Sequence, residues 1–387
     1  MSCNLNTGNA KTLVAIDQHA RTSTLCALDT QSGEIKKKRF SNCPTCSDFI
    51  YWLDSWAQGP YYFAYESGPC GFDLARCLRA DGHLCDVIAV SSIPRSLKEK
   101  ITKDDFVDAR SLLSAIQTKS STLSCVYIPS VEAEDARDLV RQYQTIAKNL
   151  RRSKQALNAF LLRHGFIYNE KTKTGRPKRL WTYEHKRWLK SIKFETEVQQ
   201  EVFSTYYHEV ERLEHYLNDA KNMVEKLAKS PRFAKYVEAF CAIKGVGIIT
   251  ALTFCAEIDN FERFKSGRAL ASYLGLVPKR HNSGEKISNG RITKCGDKTL
   301  RRCLIEGFSA VSRFNVYTRE GTDLKNIPKQ ARLEIEKANK RIIRRRDALK
   351  KSGKNHNIIK VALAKEAACH MLFVAKAIDR ADLDKAA

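Results

Sequence analysis

No apolar run in this 387-residue chain approaches the ~20 residues that a membrane-spanning helix needs, which excludes a helical membrane protein. The N-terminus lacks the charged-then-apolar pattern of a secretory leader, and a cytoplasmic location is expected. No G-x-x-x-x-G-K-[S/T] loop is present, which disfavours an ATP motor of the usual sequence type. Cys43-x-x-Cys46 is half of a zinc site, and without a second such pair or a paired-histidine motif a structural metal is not expected there. Internal repeats and low-complexity linkers are missing as well. Acidic side chains are scarce beside basic ones: 43 Asp and Glu face 67 Lys and Arg. The net charge of +24 is a field that favours polyanions such as nucleic acid. The thirteen cysteines, an odd number scattered through apolar stretches (Cys26, Cys77, Cys241, Cys255), read as small buried hydrophobes of a reducing compartment, so no disulfides are expected. The length is enough for two or three domains, each with its own core, and rules out a small disulfide-stapled scaffold.

What is present begins, after a polar tail over residues 1–11, with short apolar runs at Thr12 to Asp17 and Ser23 to Asp29. An alternating segment at Glu34 to Phe40, a helical stretch at Cys46 to Trp56 and a strand at Tyr61 to Glu66 come next. A helix (Phe72 to Ala80), a strand (Leu84 to Val90) and a helix (Phe106 to Ile116) complete the section. Three early strands followed by strand and helix alternation predict an α/β layer with a mixed sheet.

From Ala133 the period changes. Leu139, Tyr143, Ile146, Leu150, Leu157 and Leu161 recur at helical spacing, and a second run goes from Val198 and Val202 through Tyr206, Val210, Leu213, Leu217, Ala220 and Val224 to Leu227. Two long helices with heptad-like seams predict an antiparallel coiled-coil hairpin. A bundle within one chain and a dimerisation arm both fit, because periodicity shows a seam without showing whose chain fills it. Between them, Arg163 to Lys193 holds ten Lys/Arg against Glu170 and Glu184, interleaved with Trp181, Tyr183 and Trp188. Arg179 and Trp181 there suit contacts to RNA or single-stranded DNA, where guanidinium and ring faces stack on bases; the alternative is a solvated tip with its aromatics tucked into local core. The remainder, from about Phe233, reads as mostly helical, with loops at Lys279 to Asp297 and Gly353 to Asn357. Its basic stretch Lys337 to Lys354, with Arg344, Arg345 and Arg346 at its centre, reads as a phosphate contact.

Chemistry concentrates in three places. Asp17 and Glu66 end strands, and Asp105 and Asp108 stand three apart on one helix face. If the sheet brings them together, four carboxylates converge, a cluster that is stable around divalent cations. Two Mg2+ ions held that way would activate an attacking oxygen and stabilise a leaving one in phosphoryl transfer. An Asp on the first strand, a Glu on a later strand and acids on a late helix is the order of an RNase H-like nuclease sheet. Asp104 and Asp105 also stand where a helix at Phe106 would be capped. Second, Ile243-Lys244-Gly245-Val246-Gly247 before the apolar helix Ile248 to Cys255 is similar to the hairpin of a helix-hairpin-helix element, whose glycines let backbone N–H groups approach a phosphate. A purely structural two-glycine turn is the alternative. Third, Ser283 beside Gly284 lies among Lys279, Arg280, Lys286, Arg291, Lys294, Arg301 and Arg302, cations able to bind a scissile phosphate and activate a serine; a Ser-Gly turn is the plain alternative.

Taken together, these blocks resemble the DEDD-type transposases of bacterial insertion sequences, bridge-RNA-guided recombinases, over nearly the whole chain. Val14 to Asp17, Tyr65 to Pro69 with Leu74 and Leu78, and Lys103 to Arg110 look like that family's RuvC-like domain. Its Lys-Thr-Asp-x-x-Asp-Ala pattern falls on Lys103, Asp105, Asp108 and Ala109, with Asp104 where Thr is usual. Ile243 to Gly247, Phe264 to Gly275, Pro278 and Ser283 to Arg301 are similar to its C-terminal domain. The resemblance implies an RNase H/RuvC-like α/β domain over residues 12–130, a coiled-coil hairpin over 131–232 with the basic, aromatic insertion 163–193, and a mainly α transposase domain over 233–387 that carries the serine. It implies Asp17, Glu66, Asp105 and Asp108 as a Mg2+-binding tetrad, and Ser283 as the nucleophile forming a phosphoserine link to DNA. Asn282 stands where many relatives carry a second serine. It further implies a noncoding bridge RNA that selects the DNA, and a dimer or dimer of dimers in which carboxylates and serine can come from different protomers. A covalent link conserves phosphodiester energy, consistent with the missing nucleotide loop. Two other readings remain: a RuvC-type metal-dependent junction nuclease in which Ser283 is structural, and a nucleic-acid-binding protein without catalysis.

Overall fold

The computed structural model describes residues 5, 7–94, 104–118, 122–283, 286–313 and 324–386, the side chains of 280–289, 385 and 386 excepted. The chain forms two compact units, Met1–Pro129 and Ser130–Ala387.

The first unit is built on a six-stranded sheet of β1 (Thr12–Gln18), β2 (Ser23–Asp29), β3 (Ile35–Phe40), β4 (Tyr61–Glu66), β5 (Leu84–Ile88) and β6 (Cys125–Val126), in the order β3-β2-β1-β4-β5-β6. Antiparallel pairing joins β1 to β2, β2 to β3 and β5 to β6, whereas β4 runs parallel to both β1 and β5. Three helices cover it: α1 (Cys46–Asp54), α2 (Asp73–Ala80) and α3 (Asp105–Gln117). Alternate side chains divide between the two faces. Val14, Ile16, Leu25, Ala27, Phe63 and Tyr65 pack with Phe49, Leu53, Leu74 and Leu78 of α1 and α2. Leu13, Ala15, Cys26, Leu28, Tyr62, Ala64 and Ile88 pack with Ala109, Leu112, Leu113 and Ile116 of α3. Burial on both faces is why the inner strands read as unbroken apolar runs. One expectation is corrected here: Cys46 and Cys77, brought to 6.6 Å Cα–Cα where α1 meets α2, form a disulfide.

The second unit is mostly helical. It contains α4 (Val131–Arg163), α5 (Tyr183–Ser191), α6 (Glu197–Ala228), α7 (Ala234–Cys241), α8 (Ile248–Ile258), α9 (Gly267–Tyr273), α10 (Lys298–Val311), α11 (Lys329–Lys351) and α12 (His356–Ala386). Helices α4 and α6 pack against each other as a long hairpin. Its seam departs from the expected one at the far end, where Val198 and Val202 are exposed and Phe203 and Tyr207 are buried. Residues Phe166, Trp188 and Phe194 fold back against that end and draw the aromatic stripe inward. The start of α4, through Ala136 and Val140, shares one core with α7 to α12. Arg137, Arg141 and Arg232 bind the other end of the joint: Arg141 forks onto Glu257 at 2.8 and 3.1 Å, and Arg232 meets Asp259 at 2.8 Å. Asp259 also accepts from the backbone and hydroxyl of Ser130, the N-cap of α4, at 2.8 and 2.9 Å.

The expected loop at Lys279 to Asp297 holds instead a two-stranded antiparallel sheet, β7 (Pro278–Ser283) and β8 (Lys286–Ile292). Both strands are polar, so no apolar alternation announced them. Among the described residues, no helix is long and apolar enough to cross a membrane.

Candidate functional site

Asp17 continues the parity of Leu13 and Ala15 on β1, and Glu66 continues that of Tyr62 and Ala64 on β4, so both point to the sheet face covered by α3. The register pairs Ile16 with Tyr65 on these parallel strands, and the next position on each is the carboxylate. The first turn of α3 supplies Asp105 and Asp108 over the same face. Asp104 is the N-cap of that helix, its Oδ1 accepting from the Phe106 backbone N–H at 3.0 Å. That division leaves Asp105 turned toward β1.

Two side chains outside those motifs, His19 and Arg39, join the cluster. His19 Nε2 lies 3.2 Å from Asp17 Oδ2 and 3.6 Å from Asp105 Oδ1. Arg39 Nη1 lies 3.5 Å from Asp105 Oδ2. His19 is two residues beyond Asp17, a spacing that returns a side chain to the same strand face and was readable in advance. Arg39 became visible only through the register Asp17, Thr24, Arg39 across three strands. Burial raises the pKa of Asp17 above its ordinary 3.8, the nearby Asp105 and Asp108 carboxylates raise it further, and His19 opposes them.

This donor set fits a divalent cation. Oxygen ligands on Asp17 and Asp105 and a ring nitrogen on His19 lie within 4.8 Å of one another. The hydroxyl of Thr24, between Asp17 and Arg39 in the row, is buried without a hydrogen-bond partner among the described residues. Carboxylate oxygens suit Mg2+ or Mn2+, and the imidazole favours the latter.

In the second unit the anticipated residues disperse. Ser283 is the last residue of β7, paired in register with Lys286; its side chain, like those of Arg280 and Lys286, lies outside the described residues. Lys279, Arg291 and Lys294 are exposed on or beside the hairpin. Arg301 is corrected: it is buried and donates through Nη1 to the carbonyls of Leu274 and Cys295 at 3.1 and 2.6 Å, so it braces the hairpin base rather than a phosphate. Arg302 is exposed and bonds Gln144 Oε1. Arg346 is corrected likewise, being buried with Nε on Asp347 at 2.8 Å, because it falls on the core face of α11. Arg344 and Arg345 are exposed and, with Lys337, Lys340 and Arg341, line a groove of about 430 Å³.

At the two-glycine turn, the Lys244 N–H donates to Asn339 Oδ1 at 2.8 Å, and Asn339 returns a bond to the Ala242 carbonyl at 2.9 Å. Gly245 has φ +86°, and a Cβ there would lie 3.0 Å from Phe308 and Val311, so this glycine serves close packing against α10. Gly247 caps α8 in open space. In the basic insertion Arg179 is exposed. Trp181 is half-buried, with the Lys154 ammonium 4.6 Å from its ring and His185 edge-on at 5.3 Å, which leaves Tyr183 as the exposed ring.

Comparisons with known proteins match two separate stretches of the chain. Residues 237–322 match the model of the transposase IS116/IS110/IS902 family, and residues 14–166 match a transposase model of the DEDD IS110 type. The chain is 32% identical over 317 residues to a putative transposase, y4qE, of Sinorhizobium fredii, covering 81% of this chain and 75% of that protein. It is 29% identical over 300 residues to the transposase for insertion sequence element IS1533 of Leptospira borgpetersenii, covering 76% and 84% of the two chains. Over 133 residues, 34% of this chain and 35% of the other, it is 31% identical to the transposase for insertion sequence element IS1111A of Coxiella burnetii.

Proposed function

Because the chain belongs to the IS116/IS110/IS902 family of transposases and is thereby a DNA-processing enzyme, we propose that it cuts and rejoins DNA by Mg2+-assisted phosphoryl transfer through a covalent phosphoserine link at Ser283. The observation that carries the metal half of this reading is the convergence of Asp17 and Asp105, from a strand end and a helix start far apart in sequence, on one ring nitrogen of His19. Asp17, Glu66, Asp105 and Asp108 are the proposed ligands, on an RNase H/RuvC-like sheet. A bound divalent cation supplies charge stabilisation to the phosphoryl group under attack.

Asp17 and Asp105 hold that charge in place, while the burial of Asp17 keeps water from weakening the interaction. Ser283 Oγ forms its bond to the scissile phosphorus as the bond from phosphorus to the leaving deoxyribose oxygen breaks. The serine proton passes to a base, and the leaving oxygen takes up a proton until it attacks in the return step. Sequence choice falls to a noncoding RNA paired with the DNA, with the +24 charge holding both backbones. The exposed Arg344 and Arg345, the Gly247 turn and the insertion around Arg179 and Tyr183 are proposed backbone contacts, and α4 with α6 is the proposed oligomerisation arm.

The test is a denaturing gel of labelled donor DNA incubated with Mg2+ and the RNA transcribed from the flanks of the element. Wild type is expected to give a slow-migrating protein–DNA adduct, and Ser283→Ala none. Cut DNA without adduct, unchanged in Ser283→Ala, would point to a junction nuclease instead.

A further inference from the structure

The edge strand β3 carries four consecutive cations, Lys36 to Arg39, and the sheet divides them between its faces. Ala27 faces Lys36 and Leu25 faces Lys38 across the ladder, which puts these two on the α1 side. Rings take them up: the ammonium of Lys36 lies 4.7 Å from the centroid of Trp56, and that of Lys38 4.7 Å from Phe40. Cys26 faces Lys37 and Thr24 faces Arg39, which puts those two on the α3 side, with the carboxylates. Lys37 stands 4.8 Å over the ring of Phe106 on α3, and Arg39 reaches Asp105.

Edge strands are often lysine-rich merely to keep another sheet from pairing with them. That purpose is indifferent to face. Here the cations of one face rest on rings of the α1 side, whereas those of the other lie against the first turn of α3, Lys37 over Phe106 and Arg39 on Asp105 next to it. We propose that Lys37 and Arg39 form a phosphate track that leads a single DNA strand along the sheet edge to the carboxylates, Arg39 being the one that reaches Asp105. The inference rests on the reading of that cluster as the strand-cutting site.

Spacing and chemistry both suit the task. Residues two apart on a strand lie about 6.8 Å apart on one face, so the two charges form a line rather than a point. A guanidinium can fork onto two phosphate oxygens, which lysine cannot. The Arg39–Asp105 pair is partly exposed, with side chains 53% and 32% accessible, and such pairs are weak and exchange readily. A phosphate can therefore claim Arg39 once Asp105 is committed to a cation.

The test uses full-length protein in EDTA, so that nothing is cut. Lysines are acetylated with and without saturating single-stranded DNA and read by mass spectrometry. Lys37 is expected to be protected several-fold more than Lys36 or Lys38, a result that needs no variant. In parallel, K37Q/R39Q is expected to lower the slope of log affinity against log salt by about 1.4, two contacts at about 0.7 each. K36Q/K38Q, the same charge change on the opposite face, is expected to leave that slope unchanged. Equal protection of Lys37 and Lys38, no protection of either, or equal slope changes in both variants would overturn the track. Protection of Lys37 by RNA but not by DNA would overturn its assignment to a DNA strand. If Lys37 is protected yet wild type never cuts DNA with Mg2+ or Mn2+, the track stands and the cutting role of the cluster fails.

Discussion

Asp17 is held where an ionised carboxylate is least welcome, partly buried and beside Asp105 and Asp108. Its folded-state pKa is therefore raised, so the folded chain binds that proton more tightly than the unfolded chain does. Stability from this group is greatest below the ordinary value of 3.8 and declines as pH rises through the raised one. Asp17→Asn is accordingly expected to raise the melting temperature at neutral pH in EDTA. It should also lose the stabilisation that Mn2+ gives wild type, about 2.7 kcal/mol at a hundredfold excess over the dissociation constant. Thermal denaturation with and without Mn2+ checks both; an unchanged response to metal in Asp17→Asn would remove Asp17 from the ligand set. Asp17 and Glu66 were legible because each ends a strand, and Asp105 and Asp108 because helical spacing put them on one face. Arg39 was not, since its place depends on which strands neighbour one another, a property of the whole sheet. Arg301 and Arg346 misled for the opposite reason: composition shows a cation, and only packing shows that it is buried.

Between elements, the base of the β7–β8 hairpin rests on backbone lying directly against backbone. A Cβ on Gly296, at φ +66°, would fall 1.9 Å from the Tyr273 carbonyl oxygen, and one on Gly275 would fall 2.4 Å from the Cys295 nitrogen. Arg301 then ties Leu274 to Cys295 across the same joint. Gly296→Ala has no room to relax, and a loss of more than about 2 kcal/mol is expected. Under the proposed function, adduct formation should fall more steeply than DNA binding in that variant; chemical denaturation and the adduct gel check the two halves. The α4–α6 hairpin was legible as a pair of long helices, because a period near 3.6 survives any partner. Its distal seam was not, because Phe194 comes from the segment between them and packs on Phe160 and Phe203 with centroids 5.4 Å away. Phe203→Ala is thus expected to cost about 3–5 kcal/mol, and Val198→Lys less than about 0.5 kcal/mol. A reversal of that order in urea titrations would restore the seam read from heptad spacing.

For the whole molecule, the carboxylates and the proposed nucleophile belong to different compact units, Met1–Pro129 and Ser130–Ala387, each with a core of its own. Under the proposed function, strand cutting through Ser283 needs both, and two chains would offer two ways of combining them. Mixing Asp105→Asn chains with Ser283→Ala chains separates these ways. Each variant alone lacks one half of the chemistry and should give no adduct. If a site takes its carboxylates from one protomer and its serine from another, the mixture contains sites with Asp105 from the Ser283→Ala chain and Ser283 from the Asp105→Asn chain. Adduct should then return, below the wild-type level because only some pairings are productive. Tags of different size on the two chains sharpen the outcome, since the DNA must be attached to the Asp105→Asn chain. If the serine works with the carboxylates of its own chain, no mixture regains adduct. A mixture in which DNA is carried by the Ser283→Ala chain would mean that some other residue is the nucleophile, while leaving the metal cluster untouched.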